Sequence, residues 1–351
     1  MKLSAVLLSA AFLMPLAGVA HDHEQKPTTN LVITRQVGGY QAPLDRLSAQ
    51  IRKEQGRKAF QPSKQCPKRV APNYRKKVVV AGFELESAHQ GDLGGLYRAG
   101  EQLSRLVYQR LRETGRVIPL AAPDRQMFAS LAMAPTAHAA GNRLARYSPV
   151  SREMGAQFVV SGVIRDIEVS DRSSWGSSYA SRLKGALFGK DSNRSLVVDL
   201  IVHDGYTGRV LVEERFSGSG RWGFDARDRV AFGSERFFAS DFGAMADKLI
   251  DGMVEKVIRD IECQPLMVKI LDVDGKDLVL DVGTNSGMLP GEHMELVRAE
   301  HSLGDPERPP ELWETDVSLH IHSLSLDRAQ AWMPQYGGSI NVRAGDYAVV
   351  Y

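Results

Sequence analysis

The sequence lacks a long apolar run anywhere beyond its first 20 residues. No other stretch reaches the roughly 20 apolar residues that are needed to cross a bilayer, which excludes a bundle of membrane-spanning helices. Apolar residues make up 43% of the chain and charged residues 25%, the ordinary balance of a globular protein rather than a disordered one. With 351 residues, the chain is long enough for about two domains.

The N-terminus has the three parts of a secretory signal peptide. Lys2 carries a positive charge, residues 3–16 are almost wholly apolar, and residues 18–20 are small. We therefore predict a signal peptide over 1–20, with cleavage after Ala20, in a protein exported to the bacterial periplasm. No cysteine follows the cleavage site, so we expect no lipid anchor and a protein that is not itself membrane-anchored. Export also argues against a nucleic-acid partner.

Cysteine is the scarcest residue, with only Cys66 and Cys263 in the whole chain. In an oxidising compartment two cysteines pair more often than they stay free. We predict a Cys66–Cys263 disulfide, which would join the entry and the exit of the main domain described below. Two free thiols in the exported, oxidised protein would contradict this prediction.

Acidic residues are almost absent between residues 26 and 77. This stretch has thirteen Lys and Arg against two acids, a net charge of +11, whereas the chain from residue 78 onward sums to −8. We interpret residues 21–73 as a basic arm. It either contacts an acidic partner, lipid head groups or peptidoglycan, or it is a linker that folds back on the acidic body. Its candidate contact residues are Arg52, Lys53, Arg57 and Lys58.

Residues 74–264 have the pattern of an α/β (α+β) domain with a mixed sheet and flanking helices. An unbroken apolar run at 78–83 predicts a strand buried on both faces. It is followed by an amphipathic helix that starts near Leu93 and ends at Gly115, and then by a second short strand. We also predict the elements of the remaining segment: a helical piece opening at Pro123, a helix ending at Met154, a strand over 157–169, a hairpin of 195–203 with 209–216, and a closing helix over 240–262 capped by Ser240 or Asp241.

A long insert, residues 170–194, interrupts this domain. It carries Trp175, Tyr179 and Phe188. Long loops in compact domains are often functional, and aromatic residues on them can anchor an interface. The alternative is a loop that folds back and buries the three side chains, and the sequence favours neither.

From residue 265 onward the sequence predicts a small all-β domain. Two apolar stretches around Asp274-Gly275 form a hairpin pattern, and further short strands are separated by glycine-containing turns. This pattern of short strands and glycine turns is typical of a small β-barrel or sandwich. The predicted domain covers residues 265–351.

No complete catalytic or cofactor motif is present. The twelfth position from Asp272 is Gly283 rather than the glutamate that an EF-hand needs. His320 and His322 have no identifiable third metal ligand, and the Ser181–Lys184 match to a penicillin-recognising motif lacks its partner elements. No phosphate-binding loop follows the first strand. We therefore expect no cofactor, no metal site and no enzymatic activity.

Three stretches carry a resemblance to a known family. They are Lys77–Phe83 with the helix residues 95–104, Glu153–Ile167, and Val273–Arg298 with its Gly283, Gly287 and Pro290-Gly291. They resemble flagellar assembly protein T, a periplasmic component of the H ring around the flagellar basal body in vibrios. The resemblance implies a middle domain similar to the N-terminal domain of TolB, a small β module after it, and no catalytic residues.

One departure from that family concerns the N-terminus. Its best-known members have a full N-terminal domain that is implicated in holding stator-associated proteins, whereas residues 21–73 here are short and basic. We therefore expect a ring-building role, with flagellar basal-body ring proteins as partners, stator-associated proteins in doubt, and a homo-oligomeric ring as the assembled state. The alternative is a TolB-like periplasmic accessory factor for outer-membrane, cell-wall synthase or secretion assembly. The missing lipidation cysteine counts against it.

Overall fold

The computed structural model describes residues 58–60, 74–93, 95–128, 131, 134, 147–170, 192–224, 228–301, 309–334 and 341–351. All of them belong to one compact unit, Gln55–Tyr351. The signal peptide and most of the basic arm lie outside the described residues, and so do six predicted contact residues: Arg52, Lys53, Arg57, Trp175, Tyr179 and Phe188. Cys66 lies outside them too, so its disulfide with Cys263 remains a prediction.

The α/β domain is built on a five-stranded mixed sheet. Its strands are β1 (Lys77–Leu85), β3 (Ile118–Ala121), β4 (Phe158–Asp166), β5 (Asn193–Asp204) and β6 (Val210–Arg221). The order is β3-β1-β4-β5-β6, with β1 parallel to β3 and β4, and with β4, β5 and β6 antiparallel. β1 lies inside the sheet, which explains its unbroken apolar run. The predicted strand–helix–strand crossover and the hairpin are both present.

Helices α1 (Ala99–Thr114) and α4 (Asp241–Glu262) pack on one face of this sheet. The two shorter helices are α2 (Tyr147–Met154) and α3 (Glu235–Phe238). The C-terminal end of α1 and the N-terminal end of α4 are as predicted. Gly115 ends α1 in the left-handed region at φ 64°, and the Ser240 hydroxyl oxygen accepts a hydrogen bond from Gly243 N at 3.0 Å at the start of α4.

Two local predictions are wrong. The helix does not start near Leu93, because Leu96–Tyr97 form the short strand β2, which pairs in parallel with β7 (Val230–Ala231). Pro123 opens a turn rather than a helix. The register of β1 against β4 shifts between Val80 and Phe83, and the turn carbonyl of Arg125 accepts the Gly82 N–H at 2.9 Å. The 123–125 segment therefore serves the irregular part of β1 instead of continuing as a helix.

The C-terminal part is a closed six-stranded antiparallel barrel. Its strands are β8 (Leu266–Asp274), β9 (Asp277–Leu280), β10 (His293–Glu300), β11 (Glu311–Leu324), β12 (Ala329–Trp332) and β13 (Tyr347–Val350), in the order β10-β11-β12-β9-β8-β13. The predicted fold class, a mixed-sheet α+β domain followed by a small β domain, is confirmed, and the β domain is a barrel rather than a sandwich. Asp274 and Asp277 flank the β8–β9 turn, where Gly275 has a φ of 62°.

Buried and partly buried contacts join the barrel to the α/β domain. The Gln157 side chain donates from Nε2 to Pro265 O at 3.0 Å and accepts from Met267 N at 3.1 Å. Lys77 Nζ lies 2.6 Å from Asp281 Oδ1, and the Tyr206 and Tyr347 rings are 4.7 Å apart. We call these five side chains and the two backbone groups that Gln157 binds the domain joint. They hold the two folds as one body.

None of the helices in the described ranges combines the length and the apolarity that a membrane crossing requires.

Candidate interaction site

The insert leaves the α/β domain from a paired backbone. Beyond the end of β4, Ser170 N donates to Asn193 O at 2.8 Å, and Ser195 N donates to Glu168 O at 3.0 Å. Val169 and Arg194 form an antiparallel bridge between these bonds. We call residues 167–170 and 192–195 the insert neck. Because the two sides of the neck are paired in this way, the last two residues of the predicted insert, Asn193 and Arg194, belong to β5 instead.

Arg194 anchors this neck through its buried side chain. Its side chain is fully buried, and its guanidinium donates to Ile167 O at 2.9 Å and to Leu93 O. The guanidinium carbon lies 4.8 Å from the centre of the Trp222 ring, a cation–π arrangement. Among the described carboxylates none forms an ion pair with Arg194. Burial lowers the pKa of Arg194 to about 10, so the group stays charged at neutral pH.

Sequence reasoning missed Arg194 and Trp222. A usable signal was present, because Arg194 shares the period-two pattern of Leu196, Val198 and Leu200, all of which are buried on one side of β5. An arginine at such a position either ends the strand or binds buried acceptors. The backbone carbonyls of Ile167 and Leu93 are those acceptors, and neither is adjacent to Arg194 in the sequence.

Lys58 is the predicted contact residue that the structure places. Phe60 N donates to Leu312 O at 2.9 Å and Glu314 N donates to Lys58 O at 3.0 Å, so Lys58–Phe60 runs antiparallel to the start of β11. Phe60 is 6% exposed and packs on the outer face of the barrel. This short part of the basic arm, Lys58–Phe60, therefore lies on the barrel of its own chain, and the role of the rest of the arm stays a prediction.

Lys58 forms an ion pair with Glu314. The hydrogen bond from Lys58 to Glu314 and the charge of that carboxylate raise the pKa of Lys58 above its ordinary value. Because the pair is exposed, it contributes little to stability. The positive charge of Lys58 is nevertheless paired with a carboxylate of its own chain.

A groove of about 470 Å³ opens beside Lys58 on the barrel. It exists because the pairing of β10 with β11 is interrupted: Glu295 faces Ser318, Val297 faces Glu314, and residues 315–317 of β11 lie opposite Leu296 alone. Such a bulge pushes the longer strand out of the ladder. The Thr315 hydroxyl donates to Leu296 O at 2.7 Å and fixes the bulged conformation.

The groove is acidic. Glu295, Glu314 and Asp316 line it together with Lys58. Glu314 is paired with Lys58, whereas Glu295 and Asp316 form no ion pair among the described residues. We call this feature the acidic groove, defined by Glu295, Glu314, Asp316 and the 315–317 bulge. Its three carboxylates face one lysine, whose pKa is raised by Glu314 first and also by Asp316. The groove therefore keeps an excess of negative charge and can accept a further cationic group.

The histidines considered as metal ligands have other contacts. Register pairs His320 with His293 on one side and with Trp332 on the other. The His320 ring stacks on Trp332 at 5.0 Å and meets the His293 ring edge-on at 4.3 Å. His322 is exposed. The described residues contain no cluster of three or more His, Cys, Asp or Glu that could hold a metal ion.

Comparison with known proteins adds one family. Residues 64–232 match the family model described as flagellar assembly protein T, middle domain. No match was found among curated proteins.

Solved structures show weak likenesses at low identity. A hypothetical protein of Chlamydia trachomatis is 16% identical, with 53% of this chain and 98% of that chain covered, at a TM-score of 0.37. A PelC dodecamer from Paraburkholderia phytofirmans is 13% identical, with 54% of this chain and 93% of that chain covered, at a TM-score of 0.29. The LpoB C-terminal domain from Salmonella enterica is 9% identical, with 42% of this chain and 86% of that chain covered, at a TM-score of 0.23.

The family match covers two of the three stretches on which the resemblance was based. Lys77–Phe83 and Glu153–Ile167 lie inside the matched residues, and so does the insert neck, whereas the barrel lies beyond them. Over residues 64–232, this chain therefore carries the middle domain of the flagellar assembly protein T family.

Proposed function

We propose that this protein is a non-enzymatic, periplasmic building block of the flagellar basal body, in an outer ring of the H type around the rod and the LP ring, and that it contributes to motility. The observation that carries the proposal is the match of residues 64–232 to the middle domain of a flagellar assembly protein. That family is structural, which indicates a role in flagellar assembly. The periplasmic address rests on the signal peptide predicted over 1–20.

The domain joint is consistent with a building block. A ring subunit must transmit load between its contact surfaces, and a hinge between two domains would weaken it. Here the Gln157 side chain is 2% exposed and satisfies backbone groups on both sides of the boundary. The joint therefore favours a subunit that behaves as one solid piece.

The proposed partners are flagellar basal-body ring proteins and further copies of the chain. The candidate contacts on this chain are the insert, with Trp175, Tyr179 and Phe188, and the basic arm. A contact with stator-associated proteins is the weaker part of the proposal, because nothing among the described residues supports it.

The test is a deletion strain whose basal bodies are purified and imaged. We expect the outer ring to be lost and swimming to be impaired, while cell-wall integrity, measured by sensitivity to detergent and to cell-wall antibiotics, stays normal. An intact ring with normal swimming would overturn the proposal. Normal swimming together with a fragile envelope would favour the accessory-factor alternative instead.

The basic arm can be tested in the same strain by complementation. Because Lys58 is already paired with Glu314, two variants are compared: R52E/K53E/R57E, and the same three changes with K58E. If the arm contacts the ring, both should lower the yield of the protein in purified basal bodies. An unchanged yield for both would favour the linker interpretation. A loss confined to the variant with K58E would assign the effect to the contact with β11 rather than to the arm.

A further inference from the structure

We infer that the acidic groove binds the basic arm of a second copy of this chain. The groove is lined by Glu295 and Asp316, two carboxylates without an ion pair in the described part of the chain, at the bulge of β11. The inference rests on the proposed function in one respect, since a ring requires a contact that repeats from copy to copy. It names the two surfaces of that contact.

The occupant should be extended and basic. One end of the same barrel surface already holds an extended segment, Lys58–Phe60, through backbone hydrogen bonds to Leu312 and Glu314. A lysine in that segment pairs with a groove carboxylate. The groove therefore shows, with the chain's own residues, both elements of recognition that a longer basic peptide would use: strand-type backbone pairing and charge complementarity.

The chain's own arm is a poor occupant for the rest of the groove. Side chains of an extended segment alternate between two sides, so Lys58 and Phe60 share one side. In the sequence, the next residue of that alternation is Gly56, which has no side chain and no charge. It offers neither Glu295 nor Asp316 an ion-pair partner. A separate segment, which can enter in its own register, satisfies them better.

The second copy follows from charge. Residues 26–77 carry a net charge of +11, and the chain beyond them carries −8. Copies with a basic arm and an acidic groove attract each other head to tail. A head-to-tail contact is heterologous, and when its rotation closes, it generates a ring.

The experiment uses the full mature chain and measures its self-association by sedimentation velocity over a range of protein concentrations at low salt. The groove variant is E295Q/D316N. Its matched control is E213Q/D327N, which removes the same charge from exposed positions on β6 and on the β11–β12 turn. The arm variant is R46Q/R52Q/K53Q/R57Q. All these positions outside the arm are exposed, so the variants should stay folded, which circular dichroism checks.

We expect concentration-dependent association of the unmodified chain that weakens as salt is added. The groove variant and the arm variant should each raise the concentration at half-association about tenfold or more, as two lost ion pairs allow, while the control stays within about twofold. An equal mixture of the two defective variants should recover heterodimers, because each still supplies one intact surface.

Three results would overturn the inference. The first is a monomer at every concentration, and the second is a groove variant that associates like its control. The third is an arm variant and a groove variant that fail to recover any association when mixed, as expected if the arm occupies the groove of its own chain. If the deletion strain loses its outer ring but the groove variant associates normally, the proposed function stands and this contact alone fails.

Discussion

Arg194 is a buried cation whose guanidinium donates to backbone carbonyls and lies over an aromatic ring, without a direct ion pair among the described residues. We expect Arg194→Met to lower the free energy of unfolding by about 2–4 kcal/mol, because the carbonyls of Ile167 and Leu93 lose their donor inside the protein. Urea denaturation measures the difference. The control is Arg221→Met on β6, an exposed arginine, for which a change within about 0.5 kcal/mol is expected.

A conservative variant separates charge from geometry at the same position. Arg194→Lys keeps the cation but has a single nitrogen in place of a fork that reaches two acceptors. We expect its stability to lie between that of the unmodified chain and that of Arg194→Met. If Arg194→Met unfolds at the same urea concentration as the unmodified chain, the anchoring role of Arg194 is wrong.

His203 gives the domain a pH dependence. Burial lowers the pKa of His203 to about 4, below the ordinary value near 6.5. Between these two values the unfolded chain binds a proton at His203 that the folded chain does not. The free energy of unfolding therefore contains the full contribution of neutral His203 above about pH 6.5. This contribution falls as the pH drops toward 4, by up to about 3 kcal/mol.

The prediction concerns the difference between variants, since carboxylates titrate in the same range. From pH 7 to pH 4.5, His203→Gln should lose less unfolding free energy than the unmodified chain, whatever its stability at pH 7. The exposed His322 provides the control, and His322→Gln should follow the unmodified chain. Parallel pH curves for all three proteins would show that His203 titrates normally in the folded state.

At the scale of single residues, sequence patterns located side chains better than they located partners. Arg194 could be placed on the buried side of β5 by its period, but its acceptors lie 27 and 101 positions away. Lys58 was identified by charge alone, and its partner Glu314 comes from a strand 256 residues further along the chain. Such pairs depend on topology, which a local pattern does not contain.

Two helical glycines give opposite expectations for the same substitution. A Cβ atom on Gly100 of α1 would lie 2.3 Å from Phe83 O, a backbone atom, whereas on Gly252 of α4 it would lie an ordinary 3.6 Å from the Phe216 ring. Alanine favours a helix over glycine by up to about 1 kcal/mol. We expect Gly252→Ala to raise the melting temperature. We expect Gly100→Ala to lower it, because overpacking of this kind costs about 1–3 kcal/mol of unfolding free energy.

Calorimetry of the two variants decides whether α1 lies as close to β1 as the structure indicates. The proximity also explains Ser104, whose hydroxyl oxygen accepts the Phe83 N–H at 2.8 Å where β1 departs from regular pairing. A stabilising Gly100→Ala would mean that helix propensity outweighs the contact and that α1 can shift outward.

At the scale of elements, long periodic segments were predictable and short ones were not. α4 and the β5–β6 hairpin follow from a 3.6-residue stripe and from alternation around a turn, both local signals. β2 is two residues long and exists through its pairing with β7, more than 130 residues away. The 123–125 turn is fixed by the Gly82 N–H. Neither pairing has a local sequence signal.

The whole molecule depends on the joint between its two folds. The change from an α/β to an all-β sequence pattern after residue 264 was visible in the sequence, but the contacts that join the two parts were not. They come from Gln157 and Lys77 in the first fold and from Met267 and Asp281 in the second. Together with Tyr206 and Tyr347, they couple the stability of the barrel to that of the α/β domain.

This coupling predicts one cooperative thermal transition for the intact chain. In Gln157→Ala, Met267 N–H and Pro265 C=O lose their partner inside the joint, each at about 1–3 kcal/mol. Because this loss falls on the contact between the folds and spares both cores, we expect calorimetry to resolve two transitions or one markedly broader one. Gln330→Ala, on an exposed position of β12, should leave a single transition. A Gln157→Ala chain that melts at a lower temperature but in one equally sharp transition would show that other contacts carry the joint, and Lys77→Met would then be the next variant to break it.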